Sequence, residues 1–291
     1  MRDLITADDT ISHVLLLRAA DPRTIVLVES DEDSSALDPH VDEVLCQTIP
    51  TNGRDVVLGA ISRAQDLFID RVLGVIDSDQ HRIIGTAPSC TNIIMTTWCD
   101  METEIAFSND QKVLQRVIRA HFDNHAFERV LGNSSMLSMG DAVAEILRPV
   151  SLLRMASRRD GLGLNISSVP IHEVISGSPA KMDLERFYKI VCAKSKDSPM
   201  SPQDVSSIVS KEIRDCQIGS SSICNGHDFV AAVGKIGALA TQEKVGAKVL
   251  ERSLRAAFDC ESLRSTALYA DVAEWSERNS TKVWVCGQGR D

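Results

Sequence analysis

The chain is poor in aromatic residues, closely paired cysteines, long apolar runs and positive charge, and each shortage excludes something. Aromatics make up 4% of its 291 residues, too few for the successive base-stacking platforms of single-strand nucleic-acid binders. The eight cysteines (Cys46, Cys90, Cys99, Cys192, Cys216, Cys224, Cys260, Cys286) form no Cys-x-x-Cys pair, which argues against a zinc ribbon. The N-terminal stretch "MRDLITADDT" is charged and has no apolar h-region, so no signal peptide is expected and the scattered cysteines read as reduced thiols in a cytoplasm. A looser trio, Cys216, Cys224 and His227, is a weak metal candidate beside that reading. No apolar run approaches the ~20 residues of a bilayer span, so no membrane partner is expected. Lys and Arg number 31 against 41 Asp and Glu, a net charge of -10. Broad phosphate neutralisation is thereby disfavoured, though a nucleic acid remains possible as a substrate through local basic patches or bound cations.

What the chain does have is a globular balance, with 43% hydrophobic and 25% charged residues, and a clear alternation in its first third. The β-branched run "TIVLVE" predicts a buried strand. "DEDSSALDPHVDEVL" then predicts a helix, with Asp33 or Ser34 as N-cap and Pro39 limiting its length. A short strand follows near "VLCQTI", and "PTNGRD" is a turn. "DVVLGAISRAQDLFI" has helical spacing at Val57, Ala60, Ile61, Ala64 and Leu67-Phe68. "RVLGVID" and "TNIIMTT" are the third and fourth strands, and Asp100 is placed to cap the helix of "DMETEIAFS". Strands separated by helices imply an α/β fold with a mostly parallel sheet flanked by helices. Beyond residue 110 the pattern becomes helical: "DQKVLQRVIRAHFDNHAFERVL", "MGDAVAEILRPVSLLRMASRRDG" and the tail from "HDFVAAVGKIGALA". A short strand or hairpin is expected around "LGLNISSVPIHEVI". The layout is therefore read as a sheet-bearing domain over 1–109 and a mainly helical lobe over 110–291.

The candidate chemistry lies at the strand ends. Glu29 ends the first strand, Asp77 and Asp79 the third, and Asp100 and Glu102 open the helix after the fourth. In open α/β sheets ligands sit beyond the carboxyl ends of the strands, where all five fall. Side chains two apart in an extended segment face the same way, so Asp77 and Asp79 are expected to share one site. Like charges ~5 Å apart repel by roughly 3 kcal/mol even at an effective dielectric near 20. Gathering them favours protonation or a bound cation. Hard oxygen donors with no nearby thiol or imidazole select Mg²⁺ or Mn²⁺, which polarises a phosphoryl oxygen and activates water. Basic residues that can grip phosphate are Arg54 in the turn before the second helix and Arg148, Arg154, Arg158 and Arg159 on and after one predicted helix. A solvated helix face is the more ordinary reading of any one of these arginines. His227 is a candidate proton donor, although a Gly-His-Asp stretch more often opens a helix with Asp228 near its N-terminus.

These motifs together resemble the TOPRIM fold of topoisomerases, bacterial primases and several nucleases, and more closely the DUF4435 branch of TOPRIM-like proteins found in bacterial anti-phage systems. The family's apolar strand followed by Glu-Gly-x-x-Asp is matched by "VESDED" at Glu29 and Asp33, with Ser30 in place of Gly. "TNGRDVV" matches its Gly-containing turn, "GVIDSDQ" its Asp-x-Asp, "CDMETEI" its Asp-Leu-Glu helix start at Asp100 and Glu102, and "NGHDFVAAV" its Gly-His-Asp-Leu stretch at Gly226, His227 and Asp228. The match is specific over residues 24–107 and patchy beyond. The resemblance implies a Mg²⁺-dependent phosphodiesterase. Glu29 would be general base or acid or a ligand that positions water, Asp77 and Asp79 metal ligands, and Asp100 and Glu102 their support. It also implies an effector nuclease acting on RNA, tRNA before DNA, and held by a partner ATPase, as in PARIS-type defence systems. Homo-oligomerisation is left open.

A haloacid-dehalogenase-type phosphatase also uses Asp-x-Asp, but after its first strand, where this chain has Glu29. A strand-passing topoisomerase needs a distinct nucleophilic-Tyr domain, and Tyr188 and Tyr269 both lie in unremarkable helical contexts. The alternative of another class is a catalytically silent TOPRIM-like subunit that binds a partner ATPase.

Overall fold

The computed structural model describes residues 5–132, 137–198 and 200–287. An opening helix α1 (Ala7–Arg18) leads into β1 (Thr24–Val28), α2 (Asp31–Leu37), β2 (Cys46–Pro50), α3 (Arg54–Asp66), β3 (Val72–Ile76), α4 (His81–Ile84), β4 (Ile93–Met95) and α5 (Met101–Phe107). The strands form one all-parallel sheet in the order β2-β1-β3-β4. Every residue of β1 and β3 is buried, because their continuous apolar runs are covered on both faces. On one face, Ile11 and Val14 of α1 and Val57, Ala60 and Ile61 of α3 pack on Ile25, Leu27, Val72 and Ile76. The alternate residues Val26, Val28, Leu73 and Val75 face a larger core with Leu37 of α2 and Ile105 of α5. Since β2 and β3 flank β1, the crossovers through α2 and α3 leave in opposite directions. The carboxyl ends of β1 and β3 therefore form the topological switch point, where such sheets open a crevice. The α/β expectation, a parallel sheet flanked by helices, is met.

The remainder is mainly helical: α6 (Lys112–His121), α7 (Asn124–Leu131), α8 (Met139–Asp160), α9 (Ile171–Val174), a hairpin of β5 (Ile175–Ser176) and β6 (Lys181–Met182), α10 (Leu184–Lys194), α11 (Pro202–Asp215), α12 (Ser220–Ile223), α13 (Gly226–Thr241), α14 (Ala247–Ala257), α15 (Cys260–Arg264) and α16 (Ala267–Arg278). Apolar on nearly every side, α13 runs through the middle of this part against α5, α7, α8 and α14. The larger core continues without a break from the sheet through Phe107 to Phe229 and Trp275. The chain also returns to the sheet at its end. α16 lies on β4, the Trp275 indole N–H donates to Asn92 Oδ1 at 3.0 Å, and Val283 and Val285 bond the backbone of Asp42 and His40.

Several local expectations are corrected. The N-cap of α2 is Ser30, not Asp33 or Ser34, and Asp33 is the N3 partner of a capping box. A carboxylate three residues after a serine suits that reciprocal arrangement better than the cap itself. Leu67 and Phe68 lie past the end of α3 and are exposed, Phe68 at 95%. The helical period does not extend to them because the chain turns left-handed at Phe68 (φ 55°). The hairpin near residue 170 begins only at Ile175, after α9. Finally, the reading of all cysteines as reduced thiols fails for one pair: Cys260 and Cys286 are joined by a disulfide. They are distant in sequence, so no spacing rule could pair them; the returning tail does.

Candidate metal centre

The site is built at the switch point. β1 ends at Val28, and Glu29 carries its side chain across to β3, where Oε1 accepts from the Asp77 backbone N–H at 2.9 Å. The neighbouring Ser30 sits at φ -141°, extended backbone open to any residue, so Ser is accommodated where the resemblance has Gly. Its hydroxyl and backbone N–H hold Asp33 at 2.9 and 3.0 Å. Gly53, at φ 94° before α3, does need the freedom of glycine. It places Arg54, whose Nη1 donates to the Asp77 carbonyl at 2.6 Å.

Asp77 follows β3 directly, and its Oδ1 accepts from the Met101 N–H at the start of α5 at 3.1 Å. Asp79, whose charge acts on both Glu29 and Asp77, arrives on a different backbone path. The segment is not extended here: Asp79 and Gln80 are left-handed (φ 48° and 69°), and their loop is pinned by Asp79 N–H to the Cys99 carbonyl at 2.6 Å and Gln80 Nε2 to the Ile223 carbonyl at 2.7 Å. The alternation argument for a shared direction therefore fails. Instead Asp79 pairs with Arg158 at 3.4 Å, and Arg158 also donates to its carbonyl.

Asp100 caps α5 through the Thr103 N–H at 3.1 Å and takes the Thr103 hydroxyl at 2.7 Å. Its other oxygen accepts from the Gly226 N–H at 2.5 Å and Asn225 Nδ2 at 3.1 Å. The Gly-His-Asp stretch thus opens α13 and docks its N-terminus on Asp100. Here glycine is required by space. A Cβ on Gly226 would lie 2.3 Å from Asp100 Oδ1 and 2.6 Å from Glu102 Cβ. Glu102 meets Arg255 of α14 at 3.3 Å. The third acid of that helix, Glu104, is fully buried and accepts from the Thr97 and Trp98 backbone N–H groups at 2.6 and 3.0 Å, so it braces the loop after β4.

Burial dominates the electrostatics. It pushes Glu29 up to about 7, with the Asp77 N–H and Arg54 acting against it and Asp33 and Asp79 adding to it. Asp77 is raised well above the usual carboxylate range by burial, then by Asp33, Asp100, Glu29 and Asp79. Burial also raises Asp33, against the bonds from Ser30, with Asp100 and Glu32 adding to the rise. Asp100 is raised by burial against the bonds from Gly226 and Thr103. Glu102 rises to about 7 through burial and Asp100, with His227 opposing. Each of these groups is costly to ionise alone, and a cation among them would relieve that cost.

The donor set is one of hard carboxylate oxygens and fits Mg²⁺ or Mn²⁺ by chemistry. Glu29, Asp77 and Asp79 would hold the ion, with Asp100 and Glu102 behind them. Their spacing is wider than a closed coordination shell. Among the described residues, only His40, Cys260 and Cys286 bring three such ligand atoms within 4.8 Å of one another. The expected trio of Cys216, Cys224 and His227 is not brought together in that way. His227 is exposed, with Nδ1 3.1 Å from Glu251. Partial burial lowers its pKa, but Glu102, Glu251 and Asp100 outweigh that and leave it raised. Asp228 lies at 2.6 Å from Arg154.

The four arginines of α8 weighed as a phosphate grip are mostly internal cross-links. Arg148 donates to the Ile218 and Cys216 carbonyls at 2.7 Å each, Arg154 is held by Asp228, and Arg159 by Glu212 at 2.7 Å and Asp160 at 2.8 Å. Only Arg158 reaches the site. Sequence reasoning missed Arg252 and Arg255, which line a groove of about 480 Å³ between α14 and α2 with Asp31, Glu32 and Ser35. Their spacing in "LERSLRAA" marks one helical face, but no pattern indicated that this face meets α2. Comparison with family models and with curated proteins returns no match.

Proposed function

We propose that the chain is a Mg²⁺-dependent phosphodiesterase, a nuclease of the TOPRIM-like kind, acting on RNA and on tRNA before DNA. The observation that carries this reading is the meeting of Glu29 and Asp77 at the switch point, ringed by Asp33, Asp79, Asp100 and Glu102 and raised toward neutrality by burial. The ion would polarise a phosphoryl oxygen and activate water. Glu29 would either ligate the ion or take a proton from the attacking water. Arg158 and Arg54 sit beside the carboxylates to meet phosphate, and the Arg252–Arg255 groove offers a path for a strand. A defence role and a partner ATPase belong to the same proposal and rest on the motif resemblance alone, and a cytoplasmic setting rests on the scattered cysteines, six of which are free. No helix among the described residues is long and apolar enough to cross a membrane.

One observation favours a second reading, a catalytically silent subunit that binds a partner ATPase. Asp100 is already committed to Gly226 and Thr103, and Glu102 to Arg255. Wild type and Glu29→Gln, incubated with total tRNA and with single- and double-stranded DNA in Mg²⁺ or Mn²⁺, separate the two. The Gln amide oxygen can keep the bond from the Asp77 N–H, so loss of cleavage in the variant reports chemistry rather than fold. Cleavage by wild type alone, abolished by EDTA, is expected. No cleavage by wild type would favour the silent subunit, and cleavage that persists in excess EDTA, or equally in the variant, would overturn the metal-dependent mechanism.

A further inference from the structure

The tail that returns to the sheet brings together three residues far apart in the chain. His40 closes the 3₁₀ turn Asp38–His40 after α2, Cys260 is the first residue of α15, and Cys286 lies two residues beyond Trp284, which bridges to Val41. His40 Nδ1 lies 3.4 Å from Cys286 Sγ and 3.8 Å from Cys260 Sγ. His40 and Cys286 are buried and Cys260 is half-buried. We propose that the reduced Cys260–Cys286 pair and His40 form a binding site for Zn²⁺ or a similar borderline-soft cation, with two thiolates and the Nδ1 of one imidazole as ligands and a fourth position open to water. The site stands apart from the carboxylate centre and does not depend on the function proposed for it.

The distances carry the case. Zinc binds sulfur at about 2.3 Å and imidazole nitrogen at about 2.0–2.1 Å, so ligands on its tetrahedron are separated by roughly 3.5–3.8 Å. Both observed N···S separations fall on or close to that edge, so the imidazole already faces the sulfurs as a ligand would; the edge between the sulfurs forms only when reduction breaks their bond. Burial lowers the His40 pKa and so favours the neutral ring, against the opposing pull of Asp259 and the Phe258 backbone. A neutral ring has the free lone pair a metal needs. When Nδ1 is the ligand the ring proton moves to Nε2, which has no hydrogen-bond partner in the present arrangement, so binding must turn it onto an acceptor such as the neighbouring Phe258 backbone. The Phe258 ring packs edge-on to the imidazole at 5.1 Å and walls the site. Cys260 is the least buried of the three. Thiolate and imidazole donors select Zn²⁺ over Mg²⁺, so the two centres take different ions.

The disulfide is the oxidised form of the same site. A dithiol reductant gives two electrons and two protons to the Cys260–Cys286 bond and becomes a disulfide itself. Zn²⁺ then displaces the two thiol protons and closes two metal–sulfur bonds. In either state the tail and α15 are fastened to the turn that follows α2, the helix carrying Asp33.

The test is Co²⁺ titration of the full chain after dithiol reduction and anaerobic removal of the reductant, since cobalt reports thiolate ligation by a near-ultraviolet charge-transfer band that carboxylate ligands do not produce. The expected result is a band that saturates at a single ion per chain, is displaced by Zn²⁺, and is missing from the oxidised protein and from Cys286→Ser and Cys260→Ser. His40→Gln should bind at least tenfold more weakly. No band in reduced wild type, or a band undiminished in Cys286→Ser, would overturn the proposal. If the serine variants fail to fold, X-ray absorption of the wild-type zinc adduct decides. Two sulfurs near 2.3 Å with nitrogen or oxygen near 2.0 Å, roughly the distances zinc takes, support it. A shell without sulfur refutes it.

Discussion

At the scale of single residues, Asp77 is the most conflicted group in the molecule. Its carboxyl is buried among four other acids, and among the described residues its side chain takes a single bond, from the Met101 N–H. Replacing it by Asn keeps the accepting oxygen and removes the charge. Asp77→Asn is therefore expected to match or exceed the wild-type melting temperature without divalent ions, and to lose the rise that Mg²⁺ gives wild type. A fall of more than a few degrees in metal-free buffer would instead mark the Asp77 charge as structural. Gly226 is the converse case, a residue whose lack of a side chain is its contribution. A methyl there must displace Asp100 or Glu102, and Gly226→Ala should cost about 1–3 kcal/mol in a denaturant titration, the usual penalty for overpacking. An unchanged midpoint would mean that α13 and α5 are not packed as described. In the sequence, Gly226 was visible as part of a motif and Glu29 as a strand end. Their contacts, to Asp100 and to the Asp77 N–H, were not, because each spans segments that no local period connects.

Among the elements, α2 shows how a serine is absorbed at the second position of "ESDED". Ser30 is extended, so nothing about its backbone calls for glycine, and its hydroxyl forms a capping box with Asp33. Ser30→Ala should lower stability by about 1 kcal/mol, whereas Ser30→Gly should cost only a few tenths. Equal losses in the two variants would show that the cap contributes nothing. The strands were legible because burial on both faces demands unbroken apolar runs, and α5 because Asp100 precedes an acidic first turn. The loop after β3 was not legible. Period-two reasoning assumed extended backbone through Asp77-Ser78-Asp79, whereas a left-handed pair at Asp79 and Gln80 redirects the second carboxylate to Arg158. The arginines of α8 misled in a related way: a basic helix face looks the same in sequence whether it meets phosphate or buried carbonyls.

For the whole molecule, gathering buried acids makes folding depend on pH with a definite sign. Glu29 and Glu102 have carboxyls near 7 when folded against about 4.3 when unfolded. Between those values the folded chain binds more protons than the unfolded one, so stability falls as pH rises through this window. The metal-free protein should thus melt at a higher temperature at pH 5 than at pH 8, and Mg²⁺ should recover much of the difference at pH 8 by taking the place of the protons. Stability that rises over that range in EDTA would contradict the burial argument. The arrangement of parts was only partly legible. Fold class and the change of character near residue 110 follow from periodicity, but the return of α16 and the tail to the sheet does not, since it rests on packing of Trp275 and Trp284 rather than on any motif.

Whether these carboxylates hold a cation is decided by calorimetric titration of Mg²⁺ and Mn²⁺ into wild type and a Glu29→Gln, Asp77→Asn double variant at neutral pH. Saturable binding by wild type, lost in the folded double variant, is the predicted result. Heats that are indistinguishable between the two proteins, or absent from both, would contradict it.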